Sequence, residues 1–192
     1  PIERERNVVS NSDLSMRNTF ALLKDRTILL LFLGIFFIVG VDVATNFISS
    51  KLMSIRFGWS DEQVKFAPQV YFLSRTIGAL LGAFLLTRIV ACVVSLLVLI
   101  GVEKDVVNIV CIGAVGFFAS SVFSIIYSMA LQARPEKANQ ISGLMITAVA
   151  GGGVVTPVIG FAIGTVGIIG GVVVTLACVL YLMYFAFGIQ QT

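Results

Sequence analysis

The sequence contains no histidine and only three cysteines among its 192 residues, and only 12% of its residues are charged. A soluble domain has about 25% charged residues, because a polar surface must cover its core. The shortage of charge therefore excludes an ordinary soluble domain and makes a lipid bilayer the expected partner. Cys92, Cys111 and Cys178 lie within apolar runs and form no CxxC pair, so we expect neither a metal site nor a disulfide framework.

The missing residue types also bear on function. No nucleophile–base pair and no metal cluster is visible, so we expect neither an enzyme nor a bound cofactor. The net charge of +3 is modest, and the basic residues are not clustered on one segment. This pattern argues against nucleic acid as a partner.

What the sequence has in abundance is long apolar segments. A membrane-spanning helix needs about 20 apolar residues. Five segments meet this requirement: Ile28 to Ser50, Phe66 to Ile89, Asn108 to Leu131, Ile141 to Gly164 and Gly167 to Ile189. Val90 to Val102 is a shorter sixth segment that follows the second without a turn signal. Together these two are too long for one helix and too short for two with a loop, so we expect a loop to be missing near 88–91.

The charge distribution predicts how the spans are arranged. Residues 1–26 form the one extended polar stretch, and we expect a cytoplasmic arm there, followed by a six-helix transmembrane bundle over 27–192. With six spans and an internal amino terminus, most of the thirteen Lys and Arg residues fall on the cytoplasmic side. We therefore expect a multi-pass protein of the cytoplasmic (inner) membrane with both termini in the cytoplasm.

Two charged residues lie within predicted spans, where a charge is costly and needs a reason. Asp42 lies in the first span and Arg75 in the second. Asn46 is one helical turn after Asp42, and Thr45 is three residues after it, so we expect all three on one face. A carboxylate and an amide suit a polyhydroxylated ligand, so Asp42, Asn46 and Arg75 are candidate substrate contacts. The alternative is a structural bridge between Asp42 and Arg75.

The later spans contain two further candidates. Gly151, Gly152 and Gly153 precede Pro157 by a few residues, which predicts a kink or gating point, since proline removes a helix hydrogen bond. A simple packing kink is the alternative. Tyr127 belongs to a polar stripe on the fourth span and could stack on a ligand or anchor the helix at the membrane interface.

The strings GGGVVTPVIGF (151–161), VGVDVATNF, LSRTIGALLGAFLLTRI and SIIYSMALQ resemble, respectively, the eleventh, seventh, eighth and tenth helices of one family, and they occur along the chain in the same order as in that family. In this respect the chain resembles the fucose/glucose/galactose permeases of the major facilitator superfamily. The resemblance covers about residues 20–189.

The resemblance implies an all-α integral membrane fold in which this chain is the carboxy-terminal six-helix half of a twelve-helix transporter. It implies a hexose or deoxyhexose substrate, alternating access and proton-coupled symport driven by the proton gradient. The partners would be the sugar, the lipid bilayer and an amino-terminal six-helix half of the same transporter. The alternatives are a major facilitator transporter of another small molecule and a non-transporting membrane scaffold subunit.

Overall fold

The computed structural model describes residues 19–80 and 85–189, without the side chains of 80, 85, 86 and 187–189. Over these residues the chain is helical and contains no strand, which confirms the all-α class. Short 3-10 turns occupy Leu22–Lys24 and Pro135–Lys137. The α-helices are α1 (Arg26–Phe57), α2 (Asp61–Val64), α3 (Phe66–Leu80), α4 (Leu85–Gly101), α5 (Asp105–Ala133), α6 (Ala138–Ala148), α7 (Gly151–Val166) and α8 (Ile168–Ile189).

Four helical segments in the described part of the chain are long and apolar enough to cross a membrane: Arg26–Phe57, Asp105–Ala133, Pro135–Val166 and Ile168–Ala186. Large apolar side chains point outward from the bundle, as lipid contact requires. Val106 on α5 is 69% exposed and Phe161 on α7 is 74% exposed. The described part of the fold thus has apolar residues on both its inside and its outside, which is consistent with a membrane protein.

Helix α3 packs along α5 and runs in the same direction. A Cβ at Gly113 would lie 3.2 Å from Cγ1 of Val70, and one at Gly78 would lie 2.2 Å from the carbonyl oxygen of Phe117. The hydroxyl of Ser121 also donates to the carbonyl of Gly78, at 3.1 Å. The glycines let the two backbones approach closely, as small residues do in membrane helix packing.

Helix α4 packs on the same helix in the opposite direction. Arg88 bonds the carbonyl of Phe117, at 3.1 Å, and the thiol of Cys92 lies 3.8 Å from the carbonyl oxygen of Val115. Helices α3 and α4 therefore form an antiparallel pair beside α5. They have 15 and 17 residues, fewer than the about 20 needed to span a bilayer.

The interruption expected near 88–91 is not found at that position. Helix α4 runs from Leu85 to Gly101 and passes through Arg88 to Ala91 as one helix. Residues 81–84, which follow α3 and precede α4 in the sequence, lie outside the described residues. The apolar side chains from Ile89 onward continue the core face of α4, so no polar segment is available there to end a helix.

The amino-terminal end of α1 is held by Asp25. Its carboxylate accepts the N–H of Thr27 at 3.0 Å, as a helix cap, and the Nη2 of Arg134 at 2.7 Å. Because Arg134 follows the end of α5, this contact ties the start of α1 to the end of α5. Arg134 is 48% exposed and Asp25 27% exposed, so the ion pair lies at the surface of the bundle.

The carboxy-terminal end of α1 is closed by a left-handed glycine. Gly58 has φ 64°, a conformation that favours glycine, and its N–H donates to the carbonyl of Ser54 at 3.1 Å. The N–H of Trp59 donates to the carbonyl of Met53 at 3.2 Å. This turn leads directly into α2 and α3, and so helps to fix the position at which α3 starts.

Candidate functional site

The two charged residues predicted within spans form an ion pair. Asp42 lies near the middle of α1, and Arg75 lies on α3. The Nη1 of Arg75 is 2.6 Å from Oδ2 of Asp42, and their side chains are 38% and 20% exposed. The structure thus brings together two of the predicted site residues and neutralises both charges.

Tyr71 is a third member of this cluster that the sequence interpretation did not identify. It donates its hydroxyl hydrogen bond to Oδ1 of Asp42 at 2.5 Å and is completely buried. Its ring fits against Gly116 of α5, where a Cβ would lie 2.9 Å from Cδ2 of Tyr71. The available signal was spacing, because Tyr71 precedes Arg75 by four residues and shares its helix face.

A cleft of about 340 Å³ opens beside this cluster. Helix α1 contributes both polar and apolar side chains to its wall, α3 contributes an aromatic ring, and α7 contributes a hydroxyl. The lining residues are Asp42, Val43, Asn46, Phe47, Phe72 and Thr156. The cleft therefore combines a carboxylate, an amide and a hydroxyl with two aromatic rings.

Asn46 keeps the full hydrogen-bonding capacity of its side chain. Its side-chain amide has no hydrogen-bond partner among the described residues, whereas the hydroxyl of Thr156 donates to the carbonyl of Gly152 at 2.7 Å. An amide offers two N–H donors and an acceptor oxygen. Asn46 can therefore bind adjacent hydroxyl groups of a ligand without breaking an internal contact.

Thr45 does not share this face, contrary to the expectation from its spacing. It is buried, and its hydroxyl donates to the carbonyl of Val41 at 2.8 Å. Residues three and four positions after Asp42 lie on opposite sides of it at about 100° per residue, so Asn46 turns toward the cleft and Thr45 toward the core.

The predicted kink residues lie where α7 packs on α1. The helix is interrupted at Val149 and Ala150, just before the three glycines. A Cβ at Gly151 would lie 2.3 Å from the carbonyl oxygen of Phe36, whereas a Cβ at Gly153 would meet nothing within 4 Å. The first glycine thus serves a close backbone approach, and the third faces open space.

The remaining residues of this string also have distinct environments. A Cβ at Gly152 would lie 2.9 Å from Cγ2 of Val43, so this position too faces α1. Pro157 lies inside α7, which continues through it to Val166. The close packing of α7 on α1 is what places Thr156 beside Asn46 in the cleft.

Tyr127 is not among the residues that line the cleft. Its hydroxyl lies 2.5 Å from the hydroxyl of Ser142, and its ring stacks on Phe123 with centroids 6.0 Å apart. It therefore joins α5 to α6. The structure does not bring Tyr127 together with Asp42, Asn46 and Arg75, so its contact with a ligand stays a prediction.

Arg88 is a buried arginine whose position the sequence interpretation did not anticipate. It is 5% exposed, and its Nη1 donates to the carbonyls of Gly78 and Phe117 at 3.3 and 3.1 Å. Its guanidinium also lies 5.5 Å from the centre of the Phe117 ring. Arg88 therefore ties α3, α4 and α5 together at the point of closest backbone approach.

The described residues contain no group of three or more His, Cys, Asp or Glu that could hold a metal ion. The three cysteines are buried and free. No protein-family model matches this sequence, and no curated protein matches it.

Proposed function

We propose that this chain is the carboxy-terminal six-helix half of a major facilitator sugar transporter, which carries a hexose or deoxyhexose across the cytoplasmic membrane by alternating access. The observation that supports the proposal is the cleft beside Asp42, near the middle of α1. Transporter binding sites lie near the bilayer midplane, where polar side chains are otherwise avoided.

The chemistry of the cleft fits a sugar better than a lipophilic molecule. Neighbouring hydroxyls of a sugar can donate to Asp42 and exchange hydrogen bonds with Asn46. Phe47 and Phe72 offer aromatic faces on which the apolar C–H surface of a sugar ring can pack. A few placed polar groups on an apolar wall are typical of small-molecule sites.

The proposal places six helices across the membrane, with both termini in the cytoplasm and the proton gradient as the driving force. Four segments are already long enough to cross. Helices α3 and α4 would be the remaining two. An amino-terminal six-helix half would close the cleft from the opposite side.

One observation favours the scaffold alternative. Both carboxylate oxygens of Asp42 already have partners, in Arg75 and Tyr71, so the buried charge is satisfied without a ligand. A scaffold subunit would need such a bridge only for packing. The unpartnered amide of Asn46 is what the scaffold alternative does not explain.

Saturation-transfer NMR on the chain in lipid nanodiscs tests the proposal, because it detects binding in the millimolar range. We expect weak contact with D-glucose, D-galactose or L-fucose, since one bundle touches only one side of the sugar. Asn46→Ala should abolish the contact without changing the fold, whereas Asn139→Ala, outside the cleft, should not. Absence of any sugar contact, or contact that survives Asn46→Ala, would contradict the proposal.

A further inference from the structure

The ion pair gives the cleft a specific electrostatic property. Among the described residues that line the cleft, Asp42 carries the charge, and Arg75 neutralises it at 2.6 Å. The next cation along α1 is Lys51, nine residues away or about 13 Å along the helix. Lys51 is exposed, and its Nζ lies 4.7 Å from the centre of the Phe47 ring, at the rim of the cleft. Beside Asp42 itself, the charges of the Asp42–Arg75 pair sum to zero.

We infer that the Asp42–Arg75 pair is the specificity determinant that selects uncharged ligands, and that either charge left alone would select a ligand of the opposite charge. The inference rests on the proposed function, because it concerns the same cleft. It adds to that function a physical reason for the substrate class: the charge balance at the cleft, rather than the shape of the cleft, excludes charged sugars.

The hydrogen-bonding capacity of the pair explains why a neutral hydroxyl fits. A carboxylate has about four lone-pair sites, of which Arg75 and Tyr71 use two. A guanidinium has five N–H donors, and Arg75 is 38% exposed. A hydroxyl in the cleft can therefore donate to Asp42 while the pair stays intact.

A charged ligand meets a different situation. An acidic sugar gains a contact with Arg75 only by competing with Asp42, and it places its own charge beside that carboxylate. An amino sugar gains a contact with Asp42 only by competing with Arg75, and it places its own positive charge beside that guanidinium. Because each charge already has an opposite partner, a charged ligand gains no net attraction and still loses its hydration.

Tyr71 has a different role, because it positions the carboxylate of Asp42. Its hydroxyl fixes Oδ1 of Asp42 from the buried side, and it carries no charge. Its removal should loosen the carboxylate for every ligand equally. Tyr71→Phe therefore distinguishes loss of position, which lowers affinity, from loss of charge balance, which changes preference.

The test compares D-glucose, D-glucuronate and D-glucosamine at about pH 6, where amines stay protonated. Binding to the chain in nanodiscs of uncharged lipid is measured by saturation-transfer NMR. Wild type should prefer D-glucose. Asp42→Asn should shift the preference toward D-glucuronate, and Arg75→Gln toward D-glucosamine, each by at least about tenfold, as expected for a hydrogen bond to a charged group.

Three variants serve as controls. The double variant Asp42→Asn/Arg75→Gln should again prefer D-glucose, because its cleft is neutral. Lys104→Gln, which removes an exposed cation that does not line the cleft, and Tyr71→Phe should leave the order of preference unchanged. Preferences that stay within about twofold in both single variants, or a shift that persists in the double variant, would overturn the inference.

A variant that adds charge covers the case in which the single variants do not fold. Asn46→Asp places a second carboxylate in the cleft without touching the pair, and it should shift the preference toward D-glucosamine. An unchanged preference in this variant would also overturn the inference.

A further measurement separates the inference from the proposed function. If wild type binds none of the three sugars, the proposed function fails. Acetate and methylammonium, which carry the charges without the sugar, are then measured on the same variants. A tenfold shift toward acetate in Asp42→Asn upholds the inference, and equal binding of the two ions overturns it.

Discussion

Gly151 faces the backbone carbonyl of Phe36 so closely that a Cβ there would lie 2.3 Å from the oxygen. The same Cβ would lie 2.7 Å from Cγ of Phe36, so helices α1 and α7 leave no room for a side chain at position 151. Two positions further, the environment is opposite, because a Cβ at Gly153 would meet nothing within 4 Å. The two glycines form a matched pair for separating close packing from backbone flexibility.

We expect Gly151→Ala to destabilise the bundle by about 1–3 kcal/mol, because the added methyl group must push α7 away from α1. Gly153→Ala should instead stabilise it by up to about 1 kcal/mol, since alanine has the higher helix propensity and the space is open. Thermal unfolding in detergent micelles measures both. Equal effects of the two substitutions would contradict the packing explanation.

Substitution of the same two glycines also tests the predicted gating point. If the glycines act as a flexible point, Gly153→Ala should slow transport in the assembled transporter even though it stabilises the fold. If stability rises and the transport rate is unchanged, Gly153 has no role in gating.

Tyr71→Phe keeps the ring against Gly116 and removes only the hydroxyl. We expect a loss of stability of about 1.5–3 kcal/mol, the range for a hydrogen bond to a charged group, because Asp42 loses its buried donor. Tyr184→Phe is the control, since Tyr184 is 67% exposed. Comparison of the two melting curves checks the prediction, and a Tyr71→Phe curve that matches the control would contradict it.

Arg88→Leu should destabilise the contact between α3, α4 and α5 by about 1–3 kcal/mol, because two buried carbonyls lose a charged donor. Arg88→Lys should recover only part of this, since an ammonium lacks the planar fork of a guanidinium. Chemical unfolding monitored by circular dichroism measures the series. A lysine variant as stable as wild type would show that charge alone is sufficient.

The surface pair Asp25–Arg134 predicts a dependence of stability on pH. The hydrogen bond from Arg134, followed by that from Thr27, lowers the pKa of Asp25 below its ordinary value of 3.8. A group with a lowered folded-state pKa contributes stability above its unfolded pKa and loses it as pH falls through the folded value. The contribution should therefore be present above about pH 4 and disappear in stronger acid.

Melting curves of wild type and Arg134→Gln over this pH range test the prediction. The two proteins should differ slightly near neutral pH and converge in acid. High salt should also reduce the difference, because the pair is exposed. A difference that grows in acid would contradict the assignment.

Asp42→Asn tests whether Asp42 binds sugar or carries the coupling proton. In a transporter assembled from this chain and its complementary half, we expect sugar affinity to fall while proton coupling survives. Sugar counterflow and pH-driven uptake are measured side by side in proteoliposomes. Intact counterflow with abolished uphill accumulation would show instead that Asp42 carries the proton.

Composition and the cost of charge in lipid were sufficient to predict the all-α membrane class and to single out Asp42 and Arg75. Their pairing was one of two alternatives that the sequence left open. Tyr71 could have been found from its four-residue spacing to Arg75. Its burial could not, because it depends on Gly116 of another helix.

Other features depend on packing that a single helix does not reveal. A loop was expected near Arg88 because the two apolar segments that meet there are together too long for one helix and too short for two with a loop. Its partners are backbone carbonyls, which every residue has and no sequence pattern marks. Thr45 was placed on the wrong face because spacings of three and four residues diverge on either side of the starting position.

The left-handed turn at Gly58 has a practical consequence for spectroscopy. It holds Trp59, the single tryptophan of the sequence, at the end of α1. The intrinsic fluorescence of the protein therefore reports on one turn, between α1 and α2, rather than on an average over the bundle. Quenching by lipids brominated at known depths would measure how far this end of α1 lies from the bilayer centre, without any label.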